Sequence, residues 1–164
     1  MQTEQVPKVR PWVRLWARFV DYFLLGYAVI WAAYLVDPYF SEEAPELYLL
    51  STIFSVFFLE AALISFAGDT PGKWLLGVRV RDKEGGKLRL ATSIARVFRV
   101  IIYGFGMNIG GLFVIPSFYH RLMERGITPW DKRLGVVVSH EKIGPARALV
   151  AGMVLAVLVY YNYV

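Results

Sequence analysis

Long apolar runs alternate along the chain with shorter polar segments. Three of the runs can form helices that span a bilayer, at residues 12–36, 47–67 and 146–164, because about 20 apolar residues cross the hydrocarbon core. A fourth apolar stretch, residues 93–119, is interrupted in its middle by glycines and an asparagine. The pattern predicts an α-helical membrane protein with three full transmembrane helices and one broken segment.

The broken segment allows two topologies. One crossing would place residues 120–147, with six basic residues and three acids, on the outer side, against the tendency of basic loops to stay in the cytoplasm. Two short helices that turn back at the glycines would keep it inside. We favour this re-entrant hairpin over a fourth crossing, because irregular backbone is tolerated in membranes where protein buries it.

The polar segments contain strand-like stretches. Residues 76–81 and 87–90 flank the turn sequence at 83–86, which predicts a β-hairpin within segment 68–92. Residues 134–139, in segment 120–145, form a third candidate strand. Since unpaired strand edges cannot face lipid, we expect a small cytoplasmic β layer beneath the helices of one membrane domain that covers residues 1–164.

The basic residues also set the orientation. No lysine or arginine occurs between Arg18 and Lys73, whereas loop 37–46 carries four acids. The N-terminal arm, residues 1–11, is therefore expected in the cytoplasm and loop 37–46 outside.

Composition supports an integral membrane protein and excludes several other classes. Apolar residues make up 57% of the chain, and the mean hydropathy is +0.47, which argues against a soluble enzyme. The net charge of +5 follows from the basic loops, so no nucleic-acid partner is expected. The chain has no cysteine, and neither of its two histidines has a carboxylate at the spacing of metal ligands. The sequence therefore predicts no metal site and no cofactor.

Asp21 is the first candidate functional residue. Arg14, Arg18 and Asp21 share one helix face, and Asp21 lies about 10 Å further along the helix than Arg14. An isolated charge at that depth costs about 2.5–3.5 kcal/mol or more. Two interpretations are open: Asp21 is an ion-coupling group, or it is a structural pin bound to Arg14 or Arg18.

Glu60 is the only charged residue of the second run, and its distance from the inner end resembles that of Asp21. In two antiparallel helices the carboxylates would lie at similar depth. Two buried carboxylates in one layer favour proton binding, as in sites that exchange protons for cations. The alternative is that Glu60 points elsewhere or pairs with an arginine such as Arg96.

Four sequence stretches resemble the RDD family of bacterial membrane proteins: RLWARFVD, GDTPGKWLLGVRV, IARVFR and WDKRLGVVV. The resemblance covers most of residues 12–139. It implies roles for one arginine with a second basic position, two aspartates and a threonine-glycine-lysine stretch, namely Arg14, Arg18, Asp21, Asp131, Thr70, Gly72 and Lys73. Where the family usually has a threonine before its closing valines, this chain has Gly135 and Val136.

The resemblance implies the bacterial cytoplasmic membrane and a role in transport. Our leading hypothesis is a small homo-oligomeric secondary transporter, an Na⁺ or K⁺/H⁺ antiporter working through Asp21 and Glu60. The alternatives are a membrane scaffold or accessory subunit and an exporter of a small organic solute. We also expect Asp131 to bond an arginine, Arg14 or Arg96, with a bidentate geometry.

Overall fold

The computed structural model describes residues 10–104 and 126–163. This part of the chain is mostly helical and contains one small sheet. Its elements are α1 (Pro11–Val36), α2 (Phe40–Glu43), α3 (Pro45–Phe66), α4 (Pro71–Leu75), β1 (Val78–Asp82), α5 (Leu90–Gly104), α6 (Pro129–Leu134), β2 (Val136–His140) and α7 (Pro145–Tyr163).

The helices α1 and α3 confirm the first two predicted apolar helices. Each begins with a proline in its first turn, Pro11 and Pro45, where the missing N–H has no intrahelical partner to lose. Asp37, which precedes a proline, is extended and ends α1. Both helices are long and apolar enough to cross a membrane. Their most apolar 18-residue stretches have mean hydropathies of 1.7 and 2.1. The third predicted span is also helical, as α7.

The predicted hairpin is wrong. β1 pairs antiparallel with β2, with Val80 opposite Val138, so the third candidate strand is the partner of the first. The turn after β1 does form, because the Asp82 carboxylate accepts the N–H groups of Glu84 and Gly86. No strand follows this turn: residues 87–89 have no regular secondary structure, and Leu88 packs into the core.

Two apolar clusters hold the elements together. The first joins α3 to the sheet through Ile64, Val80, Leu88 and Val136. The second joins α1, α4 and α7, and consists of Val20, Leu75 and Ala151. The short helix α4 is therefore packed between two long helices, and the sheet lies against the end of α3.

The helix α5 packs against α3 and occupies the first part of the broken apolar stretch. Most of the glycine-rich centre of that stretch falls in residues 105–125, so the predicted re-entrant turn lies outside the described residues.

The contact between α4 and α1 depends on Gly72. A Cβ atom at this position would lie 2.3 Å from the carbonyl oxygen of Ala17 and 2.9 Å from the backbone nitrogen of Asp21. Both are backbone atoms of α1 and cannot rotate away. Only glycine therefore allows the two backbones to approach this closely.

We predict that Gly72→Ala lowers the free energy of unfolding by about 1–3 kcal/mol, because the added methyl group pushes α4 away from α1. Gly26→Ala is the matched control, since Gly26 lies in α1 where an added methyl group would meet no atom of another element within 4 Å. It should be neutral or stabilising by up to about 1 kcal/mol. Equal thermal midpoints for the two variants in detergent would contradict the close approach.

Candidate functional site

The segment after α3 turns back towards α1. Gly68 has a left-handed φ of 91°, and its N–H donates to the Leu63 carbonyl, which ends the helix in the usual way for a C-terminal glycine. Arg81 of β1 donates to the Gly68 carbonyl and to Asp69. These contacts fix the turn that carries Thr70, Gly72 and Lys73.

The Asp21 carboxylate, which is fully buried in α1, binds this turn through both oxygens. Oδ1 accepts the Gly72 N–H at 2.6 Å. Oδ2 accepts the Thr70 hydroxyl at 2.5 Å and the Lys73 ammonium at 2.8 Å. Bonds of this kind to a charged group are the strong ones in proteins.

Lys73 also contacts the second carboxylate. Its Nζ atom lies 2.8 Å from Oε1 of Glu60 and 3.0 Å from the Thr70 hydroxyl oxygen. Glu60 and Lys73 are only 1% and 4% exposed. We call Asp21, Glu60, Thr70 and Lys73 the carboxylate cluster. It contains two acidic groups and one basic group.

The structure thus brings together Asp21 and Glu60, as their matched depth predicts. The alternative pairings do not form: Asp21 is not in an ion pair with Arg14 or Arg18, nor is Glu60 with Arg96. Sequence reasoning missed Lys73 as the partner of both acids. The available signal was its place as the first basic residue after a long stretch without any.

A second buried cluster contains Asp131. The Arg96 Nε atom donates to Asp131 Oδ1 at 2.8 Å, and the Thr128 hydroxyl donates to Oδ2 at 2.7 Å. Thr128 is also the N-cap of α6. The predicted bond between Asp131 and an arginine, Arg14 or Arg96, is confirmed for Arg96. Its predicted bidentate form is not found: Arg96 bonds Asp131 through Nε alone, and the second carboxylate oxygen accepts the Thr128 hydroxyl instead.

Arg14 joins α1 to the sheet instead of pairing with Asp21. Its Nε atom donates to Nε2 of His140 at 3.1 Å, and its Nη2 atom donates to the Val138 carbonyl at 3.2 Å. Arg14 lies within Coulombic range of Asp131 and Arg96. Arg18, one turn further along, is half-buried and forms no ion pair with a described residue.

The described residues contain no group of three histidine, aspartate or glutamate side chains that could hold a metal ion. Their buried charges are instead ordered by lysine and arginine. The chemistry that this arrangement offers is binding and release of a proton or a small cation at carboxylate oxygens.

Where ionisable residues occur in long apolar helices of membrane proteins, they face the protein interior and pair with one another, as Asp21, Glu60 and Lys73 do here. The chain belongs to the RDD family, whose model matches residues 8–135. The match includes Asp21, Lys73, Arg96 and Asp131, and with the two apolar helices it is consistent with a membrane protein. Neither the curated proteins nor the solved structures include a match to this chain.

The carboxylate cluster leads to a prediction for Lys73. Lys73→Gln leaves two buried carboxylates without their shared cation, and should lower the free energy of unfolding by about 3–5 kcal/mol. Lys142→Gln, at an exposed lysine, is the control and should change stability by less than about 0.5 kcal/mol.

The double variant Lys73→Gln/Glu60→Gln distinguishes charge from packing. Because it removes one of the two uncompensated acids, it should recover part of the lost stability in detergent melting experiments. A double variant less stable than Lys73→Gln alone would show that the lysine acts by packing.

His140 provides a pH-dependent contact next to Arg14. Burial, followed by the charges of Arg14 and Arg10, lowers the pKa of His140 from 6.5 to about 4. The neutral ring accepts the Arg14 hydrogen bond, whereas a protonated ring could not. In the unfolded chain the imidazole takes up its proton near pH 6.5.

We therefore predict that acid weakens the fold through His140. Between pH 6.5 and 4 the unfolded chain binds more protons than the folded chain, so this contribution to stability is complete above pH 6.5 and is lost as the pH falls. His140→Gln keeps an acceptor and removes the titration. Its thermal midpoint should fall less than that of wild type between pH 7 and 4.5, and equal falls would assign the acid sensitivity to other groups.

Proposed function

We propose that the protein is a multi-pass transporter of the bacterial cytoplasmic membrane that exchanges a monovalent cation, Na⁺ or K⁺, for protons. Asp21 and Glu60 are its coupling residues. The observation that carries the proposal is that one ammonium group, that of Lys73, serves two fully buried carboxylates. The cluster therefore has one acidic group more than it has basic groups.

Arg18 and Arg96 attract Glu60 electrostatically without forming an ion pair with it, and so balance part of this excess from a distance. The remaining negative charge is costly in a low-dielectric site unless it is neutralised. A proton on either carboxylate neutralises it, and so does a bound cation. The carboxylate oxygens and the Thr70 hydroxyl are hard oxygen ligands, which alkali cations prefer over nitrogen or sulfur. The proton and the cation bind to the same oxygens, so the binding of one excludes the other. Exchange of a cation for a proton requires this competition.

Lys73 has a defined role in this scheme. Its ammonium group is a tethered cation, bound to both acids at 2.8 Å. When a transported cation enters, Lys73 can shift towards one carboxylate and leave the other to the ion. The short helix α4 that carries Lys73 joins α3 to the sheet and also packs on α1 and α7, so this shift is linked to the helix packing.

The proposed topology has the N-terminus and the basic segments 68–92 and 120–145 in the cytoplasm, with loop 37–46 outside. Homo-oligomerisation belongs to the proposal as well. In the most apolar 18-residue stretches of α1 and α3, only 17% and 22% of the residues are buried within one chain. Ala148 and Gly152 leave a smooth exposed face on α7, of the kind used in helix packing between membrane segments.

A second candidate is a scaffold or accessory subunit that transports nothing. It is favoured by the complete hydrogen bonding of Asp21, whose two oxygens accept three bonds from the turn. In that case the carboxylate cluster holds α1, α3 and α4 together. Removing one of its residues would lower the stability of the protein, and there would be no ion flux to lose.

Flux through proteoliposomes distinguishes the two candidates. We expect wild type to move protons against an Na⁺ or K⁺ gradient, and Asp21→Asn and Glu60→Gln to lose at least about tenfold of this activity while remaining folded. Glu46→Gln, at an exposed acid in the first turn of α3, should transport like wild type.

Thermal melting of the same samples completes the experiment. A folded Asp21→Asn variant with wild-type exchange would end the role of Asp21 in coupling. No gradient-driven proton movement in wild type, combined with a strongly destabilised Asp21→Asn, would support the scaffold.

A further inference from the structure

An apolar groove lies between α3 and α5. Its walls are the side chains of Phe54, Phe57 and Phe58 from α3 and of Ile94 and Phe98 from α5, and it is a shallow groove that is open to the outside. Phe58 and Phe98 are about half exposed along it. No polar side chain lines it among the described residues, so the groove suits a hydrocarbon chain.

Basic residues stand at one end of the groove. The Lys87 ammonium is held against the end of α3, where it donates to the Phe66 carbonyl at 2.7 Å. Arg89 is exposed and directly precedes α5, which begins at Leu90. Ile94 follows Leu90 by four residues, or about 6 Å of helix. Lys87 and Arg89 therefore lie where α3 ends and α5 begins, on the chain segment that leads into the second wall of the groove.

The Lys87 ammonium keeps donors for a further partner. An ammonium group has three N–H bonds, and the Phe66 carbonyl uses one of them. Arg89 adds a guanidinium group, which matches the geometry of phosphate oxygens. No ion pair with a described acid occupies either residue. The end of the groove thus offers a place for an anionic group.

We propose that this groove binds an anionic phospholipid, with one acyl chain between α3 and α5 and the phosphate at Lys87 and Arg89. Basic residues at the edge of an apolar membrane surface attract anionic headgroups. The proposal depends on the membrane setting of the chain and is independent of any transport activity.

The test is lipid binding to the detergent-purified full chain, measured by native mass spectrometry and by thermal midpoint. We expect phosphatidylglycerol to bind and to raise the midpoint more than phosphatidylcholine with the same acyl chains. Lys87→Gln/Arg89→Gln should weaken phosphatidylglycerol binding roughly 25-fold, about fivefold for each basic residue. It should weaken phosphatidylcholine binding much less, because choline already balances the phosphate charge of that lipid.

Matched variants assign the effect to the site. Lys83→Gln/Lys142→Gln removes two exposed positive charges elsewhere and should bind phosphatidylglycerol like wild type. Phe58→Ala/Phe98→Ala opens the apolar walls and should weaken binding, whereas Leu49→Ala, at another exposed position of α3, should not.

Several results would overturn the proposal. Equal losses in the two lysine-containing double variants would indicate a general surface charge effect. Stabilisation by glycerol 3-phosphate alone would show that the acyl chain is not bound. Binding that ignores headgroup charge would instead favour an apolar occupant, such as a helix of a second copy of the chain.

Discussion

The Lys73 ammonium group is the interaction on which the relative positions of α1, α3 and α4 depend. It joins a carboxylate from each long helix at 2.8 Å, and all three side chains are almost completely removed from solvent. Burying any one of these charged groups alone would cost several kcal/mol of stability, about the scale of an unpaired buried ion. Burying them together is tolerated only while the ion pairs of Lys73 with Asp21 and Glu60 are intact. The geometry of the helices is therefore set by a polar contact inside an otherwise apolar packing.

The close approach of α4 to α1 makes this contact possible. Gly72 lets the two backbones meet, and its N–H occupies the Asp21 oxygen that Lys73 and Thr70 leave free. The second cluster repeats the principle at the other end of the chain, where α6 presents Asp131 to Arg96. In both places the partner residue lies on a short helix that begins at a proline directly after a threonine.

Much of this arrangement could be predicted from sequence, where the cause is local. The helices α1 and α3 follow from apolar length, and the meeting of Asp21 and Glu60 follows from helix rise in antiparallel neighbours. The prediction of a hairpin failed because a turn is set by local sequence, whereas strand pairing is not. β1 pairs with β2, which lies more than 50 residues later in the chain. Arg14 and Arg18 were attractive partners for Asp21 by spacing alone. The tertiary structure instead binds Arg14 to His140, and supplies Lys73 from a segment whose position no helical periodicity reveals.

The order of the cluster along the chain has a consequence for biosynthesis. Asp21 is made 52 residues before the lysine that binds it, and Glu60 precedes that lysine by 13 residues. If the helices enter the membrane in order of synthesis, both acids are inserted before Lys73 is present. Each acid must then be protonated during insertion or form a temporary ion pair with another residue such as Arg18. The final structure then forms late, when α4 brings in the lysine, so insertion of the first two helices and their locking are separate events.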